Sequence, residues 1–265
     1  MYKVITALSF ALAGPAMACG ADSDCALGNR VYRIVEADRP GLGALIFFHG
    51  VGGSAAGTMA NEALREFVER EDLALVAAEA ALDDWNIPGS PTTYQADAVD
   101  ELAYFDALLE KLERETEIDP TRMFVAGFSA GAMVVWTLAC HRSDAVAGFI
   151  PVSGTFWEPL PGQCGSLDAD LIHYHGRQDD VVPMQGRPVA DSHQGDLNAA
   201  FALISQTSEF SRSISQERSE LSCDRREDES GQRLELCTFD GGHQFRVSFL
   251  QDAFLKFDAN RPNQN

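Results

Sequence analysis

The segment Gly127-Phe128-Ser129-Ala130-Gly131 offers the most recognisable chemistry in this chain. It follows the strand-like run Arg122 to Ala126 and precedes the largely apolar run Ala132 to Cys140, so it reads as a turn between a strand and a buried helix. A serine on such a turn is thrust above the sheet, where its hydroxyl is free to attack. Glycine is required two residues to either side, because a side chain there would collide with neighbouring backbone. The following helix aims its first amides at the same place and favours developing negative charge. Ser129 is therefore the candidate nucleophile.

A serine nucleophile needs a base, an acid that orients the base, and two amides for the oxyanion. One amide is expected from Ala130, directly after the nucleophile. The other is expected from the turn after Ala44 to Phe48, where His49-Gly50-Val51-Gly52-Gly53 resembles the oxyanion segment of lipases and esterases. Val51 is the expected donor because it follows the His-Gly pair, and His49 is expected to order the loop.

The chain order nucleophile, acid, base removes His49, His141, His173 and His175 as bases and leaves His193 and His243. His193 lies in a polar segment without a preceding strand. His243 stands in Gly241-Gly242-His243 at the end of one and is the preferred base. The acid is expected in His175-Gly176-Arg177-Gln178-Asp179-Asp180, where spacing leaves Asp179 and Asp180 both open. Trp85, Phe156 and Trp157 follow predicted strands or motif segments. They are candidates for lining a substrate pocket, with core packing as the alternative.

The elements that must position these residues alternate. Strands are expected at 31–36, 44–48, 73–78, 122–126, 148–152, 170–174 and 234–239. Helices are expected at 61–69, 97–115, 132–140, 197–204 and 245–257. Such alternation implies an α/β fold with a mostly parallel sheet and helices on both faces. At 265 residues the chain fits a single domain of this class. The polar stretch 184–222 is a possible insertion that covers the pocket, or else a surface excursion.

Lys3, the apolar run Val4 to Ala13, and Ala16-Met17-Ala18 make a secretory signal peptide over 1–18, cleaved after Ala18. Cys19 beside the cleavage site leaves a lipid anchor as the second option. Export to the exterior or the periplasm suits the six cysteines, which are expected to form disulfides. Cys223 and Cys237 flank a polar hairpin segment, Cys19 and Cys25 close a short loop, and Cys140 and Cys164 remain. Neither CxxC nor HxxxH spacing is present, so no metal site is expected. The formal net charge of −20, with only three lysines, makes nucleic acid an improbable partner. The body of the chain has no run of about 18 apolar residues, so no membrane span is expected.

The four segments together resemble the esterase family of polyhydroxybutyrate depolymerases, whose relatives include feruloyl and acetylxylan esterases. The resemblance rests on His49-Gly50-Val51-Gly52-Gly53-Ser54, Asp84-Trp85-Asn86, Gly127 to Gly131, Pro151-Val152-Ser153-Gly154, His175 to Asp179 and Gly241-Gly242-His243. It spans roughly residues 44 to 245, nearly the whole mature chain. It implies an α/β-hydrolase fold and a serine esterase that needs no cofactor, acting as a monomer on a small or polymeric ester. The family's H-G-x-x-D pattern puts the acid on Asp179. Gln244-Phe245 departs from the family, in which a bulky aromatic often follows the histidine directly. A serine peptidase of the same fold and a non-catalytic binding protein on this scaffold are the rival readings.

Overall fold

The computed structural model describes residues 19–92, 99–208, 210, 212–218 and 220–260. The expected signal peptide lies outside the described residues. Twelve strands and six α-helices follow in chain order among them. The strands are β1 (Cys25–Leu27), β2 (Arg30–Val35), β3 (Gly43–Phe48), β4 (Leu73–Ala78), β5 (Met123–Phe128), β6 (Gly148–Val152), β7 (Asp170–Gly176), β8 (Pro188–Val189), β9 (Ser192–His193), β10 (Arg212–Arg218), β11 (Leu221–Glu227) and β12 (Arg233–Phe239). The helices are α1 (Ala55–Met59), α2 (Glu62–Arg70), α3 (Glu101–Glu115), α4 (Ala130–His141), α5 (Leu197–Ser205) and α6 (Val247–Asn260).

Ten strands form one sheet in the order β1-β2-β4-β3-β5-β6-β7-β12-β11-β10. From β4 to β12 neighbouring strands are parallel, and the pairs at both edges are antiparallel. The central strands β3 (GALIFF) and β4 (LALVAA) are short, apolar and buried at every position, because helices cover both faces. One face packs on Phe105, Leu108 and Leu112 of α3, the length of α4, and Ile204 of α5. The other packs on Leu64 and Phe67 of α2 and Phe249, Leu250 and Phe254 of α6. α4 is buried all round from Ala130 to Cys140, as a helix apolar on every side must be.

The register aligns the chemistry. Phe48 of β3 pairs with Gly127 of β5, and Phe239 of β12 pairs with Gly176 of β7. The turns carrying His49, Ser129, Asp179 and His243 therefore leave the same edge of the sheet.

Several boundaries differ from the sequence expectation. α3 starts at Glu101 because Asp100 caps it, accepting from the amides of Leu102 and Ala103; residues 93–98 are outside the described set. Within 184–222, α5 buries Leu197, Ala200 and Phe201 in the body of the protein, and β10 extends the sheet beyond β11. Residues 224–227 and 233 belong to paired strands, leaving only 228–232 as the turn.

Disulfides join Cys19 to Cys25, Cys140 to Cys164 and Cys223 to Cys237. The sulfur of Cys19 is thus bonded to Cys25. Lys256 of α6 is 5 % exposed, and its charge is met by Asp252 at 2.7 Å and Glu235 at 3.1 Å. Among the described residues, no helix is long and apolar enough to cross a membrane.

Candidate active site

Ser129 is the hinge between β5 and α4. Its backbone sits at φ 57° and ψ −119°, a conformation that costs a non-glycine residue energy and is held by its surroundings. Its amide donates to the Val152 carbonyl at 2.9 Å, and its carbonyl accepts from the Met133 amide at 3.1 Å. Tight packing also explains the glycines around it. A Cβ at Gly127 would stand 2.9 Å from the Ala132 amide nitrogen, and one at Gly154 would stand 2.5 Å from the Ser129 carbonyl oxygen.

Asp179 and His243 come from adjacent strands. The loop after β7 donates the Gln178 amide to the Gly241 carbonyl at 2.9 Å, and a Cβ on Gly176 would overlap the carbonyls of Gly241 and Gly242. In this joined pair of loops, His243 Nδ1 lies 2.8 Å from Asp179 Oδ2 and His243 Nε2 lies 2.9 Å from Ser129 Oγ. Asp179 Oδ1 accepts from the amides of Val181 and Val182 at 3.0 and 2.8 Å. Burial pushes the Asp179 carboxyl up, but the hydrogen bonds from His243 and Val182 and the nearby imidazoles pull it further down. It ends below the usual carboxylate range. Asp180 points to solvent and His193 lies 3.5 Å from Glu158, so neither joins this group.

The loop after β3, His49 to Gly53, is braced from beneath. His49 is 5 % exposed; its Nδ1 lies 2.8 Å from the Gly50 carbonyl and its Nε2 lies 3.7 Å from Glu79. Gly52 and Gly53 donate their amides to the carbonyls of Asp83 and Gly50, while no backbone acceptor takes the Val51 amide among the described residues. Ala130 is the first residue of α4, and its amide has no acceptor within the helix. A Cβ on Gly50 would stand 3.3 Å from Ser129 Cβ, which sets this loop against the serine.

Of the two alternatives open for Trp85 and Trp157, pocket lining or core packing, the structure shows the second. Trp85 is 1 % exposed, packs edge-on to Phe48 and donates its indole N–H to the His49 carbonyl at 2.8 Å. It holds the His49 loop from below. Burial pushes the neighbouring Asp84 carboxyl up against the pull of its bond from the Trp85 amide. Trp157 is buried and pairs with Gln194, and Phe156 packs on Trp136. The open aromatic surface lies on the opposite face of the sheet. There a cavity of about 390 Å³ is walled by Phe47, Phe128 and Phe245, floored by Leu64 and rimmed by Gly57 and Asn61. Phe128 also packs on the His243 ring, with centroids 4.8 Å apart. Sequence reasoning missed this wall because Phe128 stood as the free position of the serine motif and Phe245 as a departure from the family.

Several known esterases are similar to this chain. A protein of Nocardia uniformis subsp. tsuyamanensis named "Putative esterase NocK" is 26 % identical over 169 residues, 61 % of this chain and 48 % of its own. Feruloyl esterase C of Emericella nidulans is 29 % identical over 87 residues, 33 % of this chain and 32 % of its own. The matched stretches thus span half or less of these curated relatives. Among solved structures, the acetyl xylan esterase from Aspergillus awamori superposes with a TM-score of 0.65 over 90 % of this chain and 99 % of that one, at 11 % identity. The Bacillus cereus carboxylesterase gives 0.60 over 87 % and 94 %, at 13 % identity. At such identities the likeness is one of fold, the α/β-hydrolase fold. The phospholipase/carboxylesterase family model matches residues 29–198, which include Ser129 and Asp179, and the chain belongs to that family.

Proposed function

We propose that this protein is a serine carboxylic-ester hydrolase with Ser129 as nucleophile, His243 as base and Asp179 as the acid that orients it. The observation that carries this reading is the unbroken series Ser129 Oγ, His243 Nε2, His243 Nδ1 and Asp179 Oδ2, with contacts of 2.9 and 2.8 Å. With Nδ1–H donated to Asp179, Nε2 is left to accept the serine proton. Ser129 Oγ then bonds to the ester carbonyl carbon, and the carbonyl oxygen takes its negative charge between the amides of Val51 and Ala130. As the C–O bond of the ester breaks, His243 returns the proton to the departing alcohol. Water, deprotonated by the same imidazole, releases the acid and restores Ser129.

Among polyester, feruloyl and acetyl esters, the aromatic cavity beside Phe128 favours an ester with a flat aromatic group. The relatives named as feruloyl esterases agree with that choice. Three disulfides suit an oxidising compartment, so the site is proposed to work after export. Ser129→Ala tests the reading directly. Hydrolysis of p-nitrophenyl acetate should fall by about 10⁴-fold or more with the melting temperature retained. Substantial turnover by that variant, or amide cleavage by the wild type in preference to ester cleavage, would refute it.

A further inference from the structure

Behind the Asp179 carboxylate the interior holds two imidazoles in series. Trp136, in the middle of α4, donates its indole N–H to His173 Nδ1 at 3.2 Å. His173 Nε2 lies 3.0 Å from His175 Nδ1, and His175 Nε2 lies 2.8 Å from the Val182 carbonyl. Both histidines are 0 % exposed.

The ends of this series fix every proton in it. An indole N–H only donates and a carbonyl only accepts. His173 Nδ1 must therefore accept, which puts the His173 proton on Nε2. His175 Nδ1 must then accept in turn, which puts the His175 proton on Nε2, aimed at Val182. Both rings are neutral in this arrangement. Burial holds each below its ordinary basicity, in His173 with the added repulsion of His175.

Val182 is held at both ends, its carbonyl by His175 and its amide by Asp179 Oδ1 at 2.8 Å. His175 Nε2 also stands 3.7 Å from Asp179 Oδ2, the oxygen that meets His243. We propose that His175 is a positioning residue for the reaction: kept in its Nε2–H form by His173 and Trp136, it fixes the Val182 turn and so holds the Asp179 carboxylate against His243. The inference rests on the assignment of Ser129, His243 and Asp179 made above.

His175→Leu removes the donor to Val182, whereas His175→Gln offers an amide N–H in its place. The readouts are kcat and KM for p-nitrophenyl acetate and the downfield proton NMR signal of the His243 Nδ1–H. His175→Leu should lower kcat on the order of tenfold to a hundredfold, as expected for a small misplacement of a catalytic group, and should shift or broaden the signal. KM should stay within about twofold, and His175→Gln should recover most of both readouts. Trp136→Phe releases His173 at the far end and should shift both readouts in the same direction; it carries the test if His175→Leu does not fold. Unchanged kcat and signal in the folded variant would overturn the proposal. So would a rise in KM alone, or a glutamine variant no better than leucine. A wild-type protein inert to every ester would instead overturn the underlying assignment, because the NMR signal reads the Asp179–His243 contact independently of turnover.

Discussion

The backbone of Gly131 lies so close to His49 that a Cβ on the glycine would stand 2.6 Å from the His49 carbonyl oxygen and overlap the Phe48 carbonyl. The first turn of α4 and the root of the His49 loop, proposed to hold the oxyanion, are thus one packed unit. The His49 carbonyl is also the acceptor for Trp85, so the contact is backed from the core. Gly131→Ala is expected to push the two segments apart, at a cost of about 1–3 kcal/mol in stability by urea denaturation. It should also lower kcat more than it raises KM, since oxyanion donors act mainly on the transition state. A stability loss with kcat retained would show that the serine turn and the oxyanion loop are positioned independently.

Asp179→Asn keeps the size of the side chain and removes its charge. Turnover is expected to fall by about 10⁴-fold, because the neutral amide no longer enforces the productive imidazole tautomer. Stability should respond to pH in a defined direction. Burial pushes the Asp179 carboxyl up, but the His243 and Val182 hydrogen bonds and neighbouring imidazoles leave it below its ordinary value. A carboxylate depressed in the folded state stabilises the protein above its unfolded pKa, and that contribution is lost as pH falls through the folded one. The variant should therefore melt below the wild type at pH 7, and the gap should narrow once the pH drops below about 4. A gap that stayed constant down to about pH 3 would mean that the charge adds nothing to the fold.

The proposed serine turn and the His49 loop stand out in the sequence because each follows an apolar, buried strand, whereas β7 and β12, which lead to Asp179 and His243, are as buried but carry Asp170, His173, Arg233 and Glu235. Uninterrupted runs such as GALIFF and MFVAGF announce a covered parallel sheet. Glycines next to the turns then mark where backbone must approach backbone. β10 and β11 were not legible. Ser215, Asp224 and Arg226 are polar residues on an antiparallel edge, where solvent replaces the core as neighbour and no apolar alternation develops. The sequence leaves Trp85 open between pocket and core for another reason: its partner, the His49 carbonyl, is 36 residues away, and no local pattern carries that contact. His173 and His175 were set aside as bases by chain order. Their place behind Asp179 depends on Trp136 across the sheet, which only the folded chain brings near.

The cavity beside Phe128 makes a prediction about selectivity that leaves the catalytic residues untouched. Phe47 and Phe245 meet edge to face at 5.2 Å, and Phe128 lies 6.1 Å from Phe245, so three rings form a continuous wall. A phenyl group burying about 60 Å² of apolar surface against it would gain about 1.5 kcal/mol, a factor of about ten in kcat/KM. Gly57 stands on the rim, and a Cβ there would find only Ser54 Oγ within 4 Å, at 3.4 Å. Gly57→Phe therefore adds a Cβ that displaces no backbone, and its ring is expected to occupy the cavity that Gly57 lines. The kcat/KM of phenyl acetate relative to methyl acetate should fall about tenfold in this variant, because a methyl group gains little from the wall and loses little when it is blocked. The two substrates share an acyl group, so the ratio isolates the alcohol side. Repeating the comparison with methyl benzoate and methyl acetate isolates the acyl side. A cavity that serves the reaction must move at least one of these ratios; if both stay fixed, the aromatic wall is not where the ester binds.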